Sequence, residues 1–481
     1  MTRTRLAPTA LSLLLASLAA GCGAAPAAAP AEAPAQPHAQ AGYHGGAPAP
    51  AEEPSMPASP AGAAAPAPPR SAPMPDAARA EKKKEFAEAE GADDHDRGGA
   101  RRPSAVAVMP AAGVKAGEWD DNANYREFQK WLGAEVGLPY HRVDVRDRQF
   151  IVVRDLDGKA VPRCQVSIID ERGRKVTLTT TASGRALLFP RAEGLSGNQL
   201  AAATICQNGT ASARFSLAQG DGLVDLKLNV RRALPATRDV DIAFILDTTG
   251  SMSEEIAAVK STLQKVATSL SSAQARVRIG LVEYKDRTDP FVTKVYPMSH
   301  DIAGFSRKVS SIEASGGGDT PESMNEGLHV GLTGLQWSDS AVARMAFVIA
   351  DAPPHLDYPN DFDYAADMRE AAHKGIQVFT VAASGMDQLG QVVMRQIAQY
   401  TQAQNLFVLR GGAGPQSTGG GDPKSSCGGT QTQYASGNLD ALIVQKVLRE
   451  LKGLDRDPLR IPGQFTDENA KPCKDRLLVA E

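Results

Sequence analysis

The stretch Asp239-Val240-Asp241-Ile242-Ala243-Phe244-Ile245-Leu246-Asp247-Thr248-Thr249-Gly250-Ser251 decides how the rest of the chain is read. Residues 240–246 are apolar except for Asp241, the near-continuous pattern of a strand buried on both faces. The run then stops at a polar turn. Downstream, strands and helices alternate. Residues 253–270 place Ile256, Val259, Leu263, Val266 and Leu270 on one helical stripe. Strands are expected at 277–284, 344–350, 376–382 and 405–409, and helices at 302–312, 322–335, 364–374, 389–401 and 439–451. Such alternation predicts right-handed βαβ units and a doubly wound, mostly parallel α/β sheet over residues 239–453. A site in such a sheet belongs at the carboxyl ends of the strands.

Three polar clusters fall at those ends: Asp247-Thr248-Thr249-Gly250-Ser251, Gly316-Gly317-Gly318-Asp319-Thr320-Pro321-Glu322, and Asp351 after Phe347-Val348-Ile349-Ala350. Each has a local explanation. Ser251 or Ser253 suits a helix cap, Thr320 with Pro321 suits an N-cap and first helical position, and Asp351 before Ala352-Pro353-Pro354 suits a turn. Their order is more telling. Asp-x-Thr-x-Ser, then Thr, then Asp resembles the metal-ion-dependent adhesion site of von Willebrand factor A domains, over about residues 239–409 and extending to the helix at 439–451. Thr249 stands where serine is commoner and keeps the hydroxyl. The resemblance implies that Thr249, Ser251 and Thr320 ligate a metal directly, while Asp247 and Asp351 act mostly through waters. Hydroxyl and carboxylate oxygens are hard ligands suited to Mg²⁺, with Mn²⁺ or Ca²⁺ as alternatives. With two carboxylates facing a divalent ion, an acidic side chain from a protein partner can complete the shell. The expected action is binding, without bond cleavage.

Enzyme readings lack their residues. Haloacid-dehalogenase-type phosphatases need a second Asp two positions after the first, where this chain has Thr249. Aspartic proteases need Asp-Thr-Gly, but Thr249 separates Asp247-Thr248 from Gly250. No nucleophile elbow or phosphate-binding loop appears in this domain. The glycine-rich segment 411–429 lacks the lysine and helix start of a phosphate cradle and reads as a loop.

Upstream, residues 143–232 read as short strands, at 150–153, 165–169, 175–180 and 185–189, separated by Asp157-Gly158, Glu171-Arg172-Gly173 and Ser183-Gly184. Asp155-Leu156-Asp157-Gly158-Lys159-Ala160-Val161-Pro162 with Thr179-Thr180-Thr181-Ala182-Ser183-Gly184 resembles a carboxypeptidase-regulatory-like β-sandwich, a fold that usually serves as spacer or support. Within residues 118–142, Tyr125, Phe128, Trp131 and Leu132 predict a short amphipathic helix, taken as a separate segment.

The chain of 481 residues begins with the pattern of an export signal over residues 1–21, basic at Arg3 and Arg5 and apolar at 11–20. Leu18-Ala19-Ala20-Gly21-Cys22 resembles the lipobox of bacterial lipoproteins, which implies lipidation of Cys22 and a membrane anchor. Gly23 after it leans towards the outer membrane. Residues 22–110 read as a disordered Ala/Pro-rich tether, and residues 454–481 as a C-terminal tail. A tether of about 80 residues reaches roughly 50 Å as a coil and about 250 Å extended. It accounts for much of the low aromatic share of 5% and the 32 prolines.

Five cysteines leave four once Cys22 is set aside. Three pairings are open; proximity and domain reading favour Cys164–Cys206 and Cys427–Cys473. A net charge of −3 gives no general argument for nucleic acid as a partner. The expectation is a lipid-anchored cell-envelope protein that binds a partner through Mg²⁺. The alternatives are an envelope assembly scaffold with a structural metal and, third, a metal-assisted hydrolase.

Overall fold

The computed structural model describes residues 115–217, 221–253, 256–271, 275–318, 320–383, 385–408, 435–462 and 477–478. The export signal, Cys22, the tether, Asp319, the glycine-rich segment, Cys427 and Cys473 lie outside the described residues.

β9 (Arg238–Asp247) forms from the apolar run and lies inside an eight-stranded sheet. It pairs in parallel with β10 (Ala275–Tyr284) on one side and β12 (Ala343–Ala350) on the other. β13 (Ile376–Ala382) and β14 (Asn405–Val408) continue the parallel series. β11 (Thr293–Ser299), not foreseen in the sequence, adds an antiparallel edge beside β10.

Alternate residues of the central strands feed two cores. Phe244, Leu246, Ile279, Leu281, Phe347 and Ile349 pack against α2 (Ile256–Ser271), α3 (Ile302–Ser310) and α7 (Leu439–Gly453). Ala243, Ile245, Val282, Val348 and Val378 pack against α4 (Met324–Thr333), α5 (Tyr364–Lys374) and α6 (Gln388–Tyr400) on the opposite face. This is the doubly wound arrangement that the two-faced apolar strands require. Two helix starts differ from expectation. A 3₁₀ turn, Gly250–Ser253, precedes α2, and α4 begins at Met324 behind Ser323 rather than at Glu322.

Residues 143–232 build a four-stranded sheet, β4 (Lys175–Thr179), β3 (Gln165–Ile169), β6 (Gln199–Cys206) and β7 (Gly209–Ser216), and a three-stranded sheet, β5 (Arg185–Leu188), β2 (Gln149–Arg154) and β8 (Gly222–Lys227). Ile151, Val153, Val166, Ile168, Leu200 and Leu226 form a separate apolar cluster of these strands. Cys164 and Cys206 are disulfide-bonded across it.

The segment ahead of these sheets differs most from its expected place. β1 (Lys115–Trp119) inserts between β14 and β15 (Ala435–Asn438), antiparallel to both, and so belongs to the α/β sheet. α1 (Tyr125–Ala134) follows and buries Tyr125, Phe128, Trp131 and Leu132. The Arg395 guanidinium of α6 lies 4.1 Å from the Trp119 ring and 3.7 Å from that of Trp131, and pairs with Asp121 at 2.6 Å. The small sheets are held to the same body. Tyr400 donates to Glu193 at 2.6 Å, His373 Nε2 lies 3.0 Å from Glu193, and Thr179 donates to the His373 carbonyl. Residues 454–462, expected as tail, bury Leu454 and Ile461. No helix among the described residues is long and apolar enough to cross a membrane.

Candidate functional site

Asp247 ends β9 and is fully buried. Its Oδ1 accepts from the Thr249 amide at 2.9 Å and the Thr249 hydroxyl at 2.7 Å. Thr249 Oγ1 lies 3.1 Å from Ser251 Oγ, and Ser251 donates to Asp351 Oδ1 at 2.9 Å. One chain of oxygens thus links the ends of β9 and β12, and it contains four of the five residues expected to form the site. Thr320, the fifth, is exposed and takes no part in this hydrogen-bonded chain.

The loop carrying Thr320 is nevertheless seated against the other two. The Gly250 amide donates to Gly316 O, and the Ser315 amide to Thr248 O. Gly317 has a φ of +63°, and a Cβ there would stand 2.6 Å from Glu322 Oε1 and 3.0 Å from Thr249 Cβ. Only glycine meets both conditions. Lys285, buried beside the loop, donates to Thr248 O at 2.5 Å and also to Ser315 O. The far end of the loop is pinned to the Asp351 loop: Glu322 N donates to Pro353 O, and His355 N to Glu322 O, both at 3.0 Å.

These contacts bring in Glu322, which the sequence reading passed over as part of a helix start. Its carboxylate is buried against Gly317 and Thr249. The signal was available in Thr320-Pro321-Glu322, one residue pair beyond the expected ligand. Burial pushes the Glu322 carboxyl up to about 8, with the nearby Asp247 charge adding to it. Burial likewise pushes Asp247 up to about 7, Asp351 adding and Lys285 opposing. Asp247 Oδ2 and Glu322 Oε2 are both buried with no hydrogen-bond partner. A buried carboxylate oxygen left unpaired is costly, so a group that satisfies both oxygens would stabilise the site. Among the described residues, no three His, Cys, Asp or Glu side chains form a metal-holding group by themselves. Any cation would rely on the hydroxyls as well. That mixture of hard oxygen donors fits Mg²⁺ and does not fit zinc.

Residues 241–409 match the von Willebrand factor A domain family. The alpha-protein kinase vwkA of Dictyostelium discoideum is 32% identical over 134 residues, covering 27% of this chain and 21% of that protein. A putative ariadne-like RING finger protein of Acanthamoeba polyphaga mimivirus is 30% identical over 118 residues, covering 24% and 11%. The chain therefore spans about a fifth or less of the length of these curated relatives. Among solved structures, the pilus adhesin SpaC from Lactobacillus rhamnosus GG overlaps 54% of this chain and 33% of its own at a TM-score of 0.31 and 11% identity. The strand order, the oxygen-rich mouth at the ends of β9 and β12, and the family match converge: residues 241–409 are a von Willebrand factor A domain.

Proposed function

We propose that this domain captures a protein partner through a divalent ion, Mg²⁺ first among candidates, held by the hydroxyls of Thr249, Ser251 and Thr320 and by the carboxylates of Asp247 and Asp351. The observation that carries the reading is the pair of buried, partnerless oxygens, Asp247 Oδ2 and Glu322 Oε2, beside the linked hydroxyls of Thr249 and Ser251. When bound, the ion supplies a hard positive centre that an acidic side chain of the partner can join. The chain's own residues do the rest. Lys285 and Gly317 hold the loops together, and Asp247 orients the Thr249 hydroxyl. The action proposed for the site is binding, without bond cleavage. Cys22, read as lipidated, would attach the protein to the bacterial envelope at the outer membrane, with residues 143–232 as a sandwich-like support.

Metal titration of the full chain tests the first step. At Mg²⁺ of 100 times Kd the folded state should gain about 2.7 kcal/mol. The gain should vanish with EDTA and in Asp247→Ala and Ser251→Ala, the latter removing an exposed hydroxyl that bridges Thr249 and Asp351. Capture of envelope proteins should follow the same pattern. Equal stabilisation of the variants by Mg²⁺ would refute the assignment. Metal binding with metal-independent capture would favour the scaffold reading, in which the ion is structural.

A further inference from the structure

A cavity of about 160 Å³ lies at the opposite end of the sheet from Asp247. Gln377, at the start of β13, and Gln404, just ahead of β14, line it, which places it at the amino ends of the parallel strands. The last turns of α7, the chain that follows, and Ser183 and Arg185 from the small sheets close its wall. Its charge is lopsided. Arg185, Lys446, Arg449, Arg456 and Arg460 line it, against Asp120 and Glu450.

The cations differ in how far they are already compensated. Lys446 is buried and paired with Glu118, and Arg460 lies 3.6 Å from Asp457. Arg185 is held by main-chain carbonyls instead: Nε donates to Pro458 O at 2.8 Å, and Nη2 to Arg460 O at 2.9 Å. Burial pushes its guanidinium down to about 10, a sign that Glu450 and Asp457 do not fully offset the desolvation. Arg449 and Arg456 are exposed, and the Arg449 charge acts together with that of Arg185 on the Glu450 carboxyl. With Lys446 and Arg460 paired, Arg185, Arg449 and Arg456 face Asp120 and Glu450, which leaves one positive charge in excess in this small concavity.

We propose that this cavity binds the phosphate group of a small phosphate monoester. The guanidinium forks of Arg449 and Arg456 match phosphate oxygens in pairs, and the excess positive charge favours an anionic head. The volume is below the roughly 300–1,000 Å³ of pockets that enclose drug-sized ligands, so the anion must be small or only its head enters. A soluble metabolite and a phosphatidic acid headgroup both present this chemistry.

Calorimetric titration of the full chain with glycerol 3-phosphate, in EDTA to keep the metal site out of the readout, tests the proposal. Saturable binding with a Kd of about 1 mM or tighter is expected. Arg449→Gln with Arg456→Gln, both on the exposed rim, should weaken it about tenfold or more, with circular dichroism reporting the fold. Arg185→Gln should abolish it, with circular dichroism reporting the fold. Flotation with vesicles containing phosphatidic acid distinguishes the source: binding there but not in solution assigns the lipid headgroup. No binding in either arm, or binding unchanged in the double variant, overturns the assignment.

Discussion

Replacing Arg395 by alanine should destabilise the α/β body far more than an ordinary helix substitution. Arg395 is 1% exposed, sandwiched between Trp119 and Trp131, and it is the ionic partner of Asp121, itself 2% exposed. Removing the guanidinium leaves the Asp121 carboxylate buried and uncompensated, a loss of about 3–5 kcal/mol. The two aromatic contacts add about 1–2 kcal/mol each where desolvated, though not additively. Taking about 4 kcal/mol and a urea slope of about 3 kcal/mol/M, the unfolding midpoint should fall by more than about 1 M. Trp119 and Trp131 fluorescence reports the transition directly, because both rings touch the substituted side chain. Arg395→Met combined with Asp121→Leu removes both charges together and should cost much less than Arg395→Ala alone. Two results would refute the reasoning: a midpoint shift of a few tenths molar for Arg395→Ala, or a double variant whose loss equals the sum of the singles. Either would mean that β1 and α1 are not locked to α6 by this cluster.

The Cys164–Cys206 bond closes a 42-residue separation, so chain entropy assigns it about 4 kcal/mol; Cys164→Ser with Cys206→Ser should lower the stability of the small sheets by that order in calorimetry. The His373–Glu193 contact predicts a pH dependence. Burial alone would lower the His373 pKa, but the Glu193 hydrogen bond and charge outweigh it and the net shift is upward. A group raised above its unfolded value of about 6.5 stabilises fully below that pH and loses the contribution as pH rises through the folded value. The stability difference between the native chain and Glu193→Gln should therefore shrink as the pH rises above about 6.5. A difference that stays constant as the pH rises through and above that value contradicts the pairing.

What could be read from the sequence followed from local pattern. The run ending at Asp247 is apolar on both faces, and no other element than a central strand accommodates it. α5 and β13 likewise fall where periodicity put them. β1 escaped because Lys115-Ala116-Gly117-Glu118-Trp119 has no strand signature; it is a strand only because β14 and β15, some 290 residues and more away, offer it a hydrogen-bonding partner on each side. β11 was hidden by its own Pro297 and mixed exposure, both tolerated at a sheet edge. At the site, Asp247, Thr249, Ser251 and Asp351 were legible because the order of their oxygens is distinctive. Glu322 was not, since Pro-Glu after a threonine also spells a helix start. Only the fold of the loop against Gly317 and Thr249 brings its carboxylate to the same mouth.

The insertion of β1 also fixes how the domain would answer a pull. Antiparallel hydrogen bonds run perpendicular to their strands. β1 has such bonds on both sides, with β14 and with β15. Tension applied at Lys115 along the axis of β1 loads both ladders in shear, where many bonds must slide together, rather than one pair at a time as when an edge strand is peeled. The same tension does not pass through the small sheets, because they branch from the chain after β1 and return to it before β9. Among the described residues, the first to feel such a load is therefore the sheet that carries the candidate site.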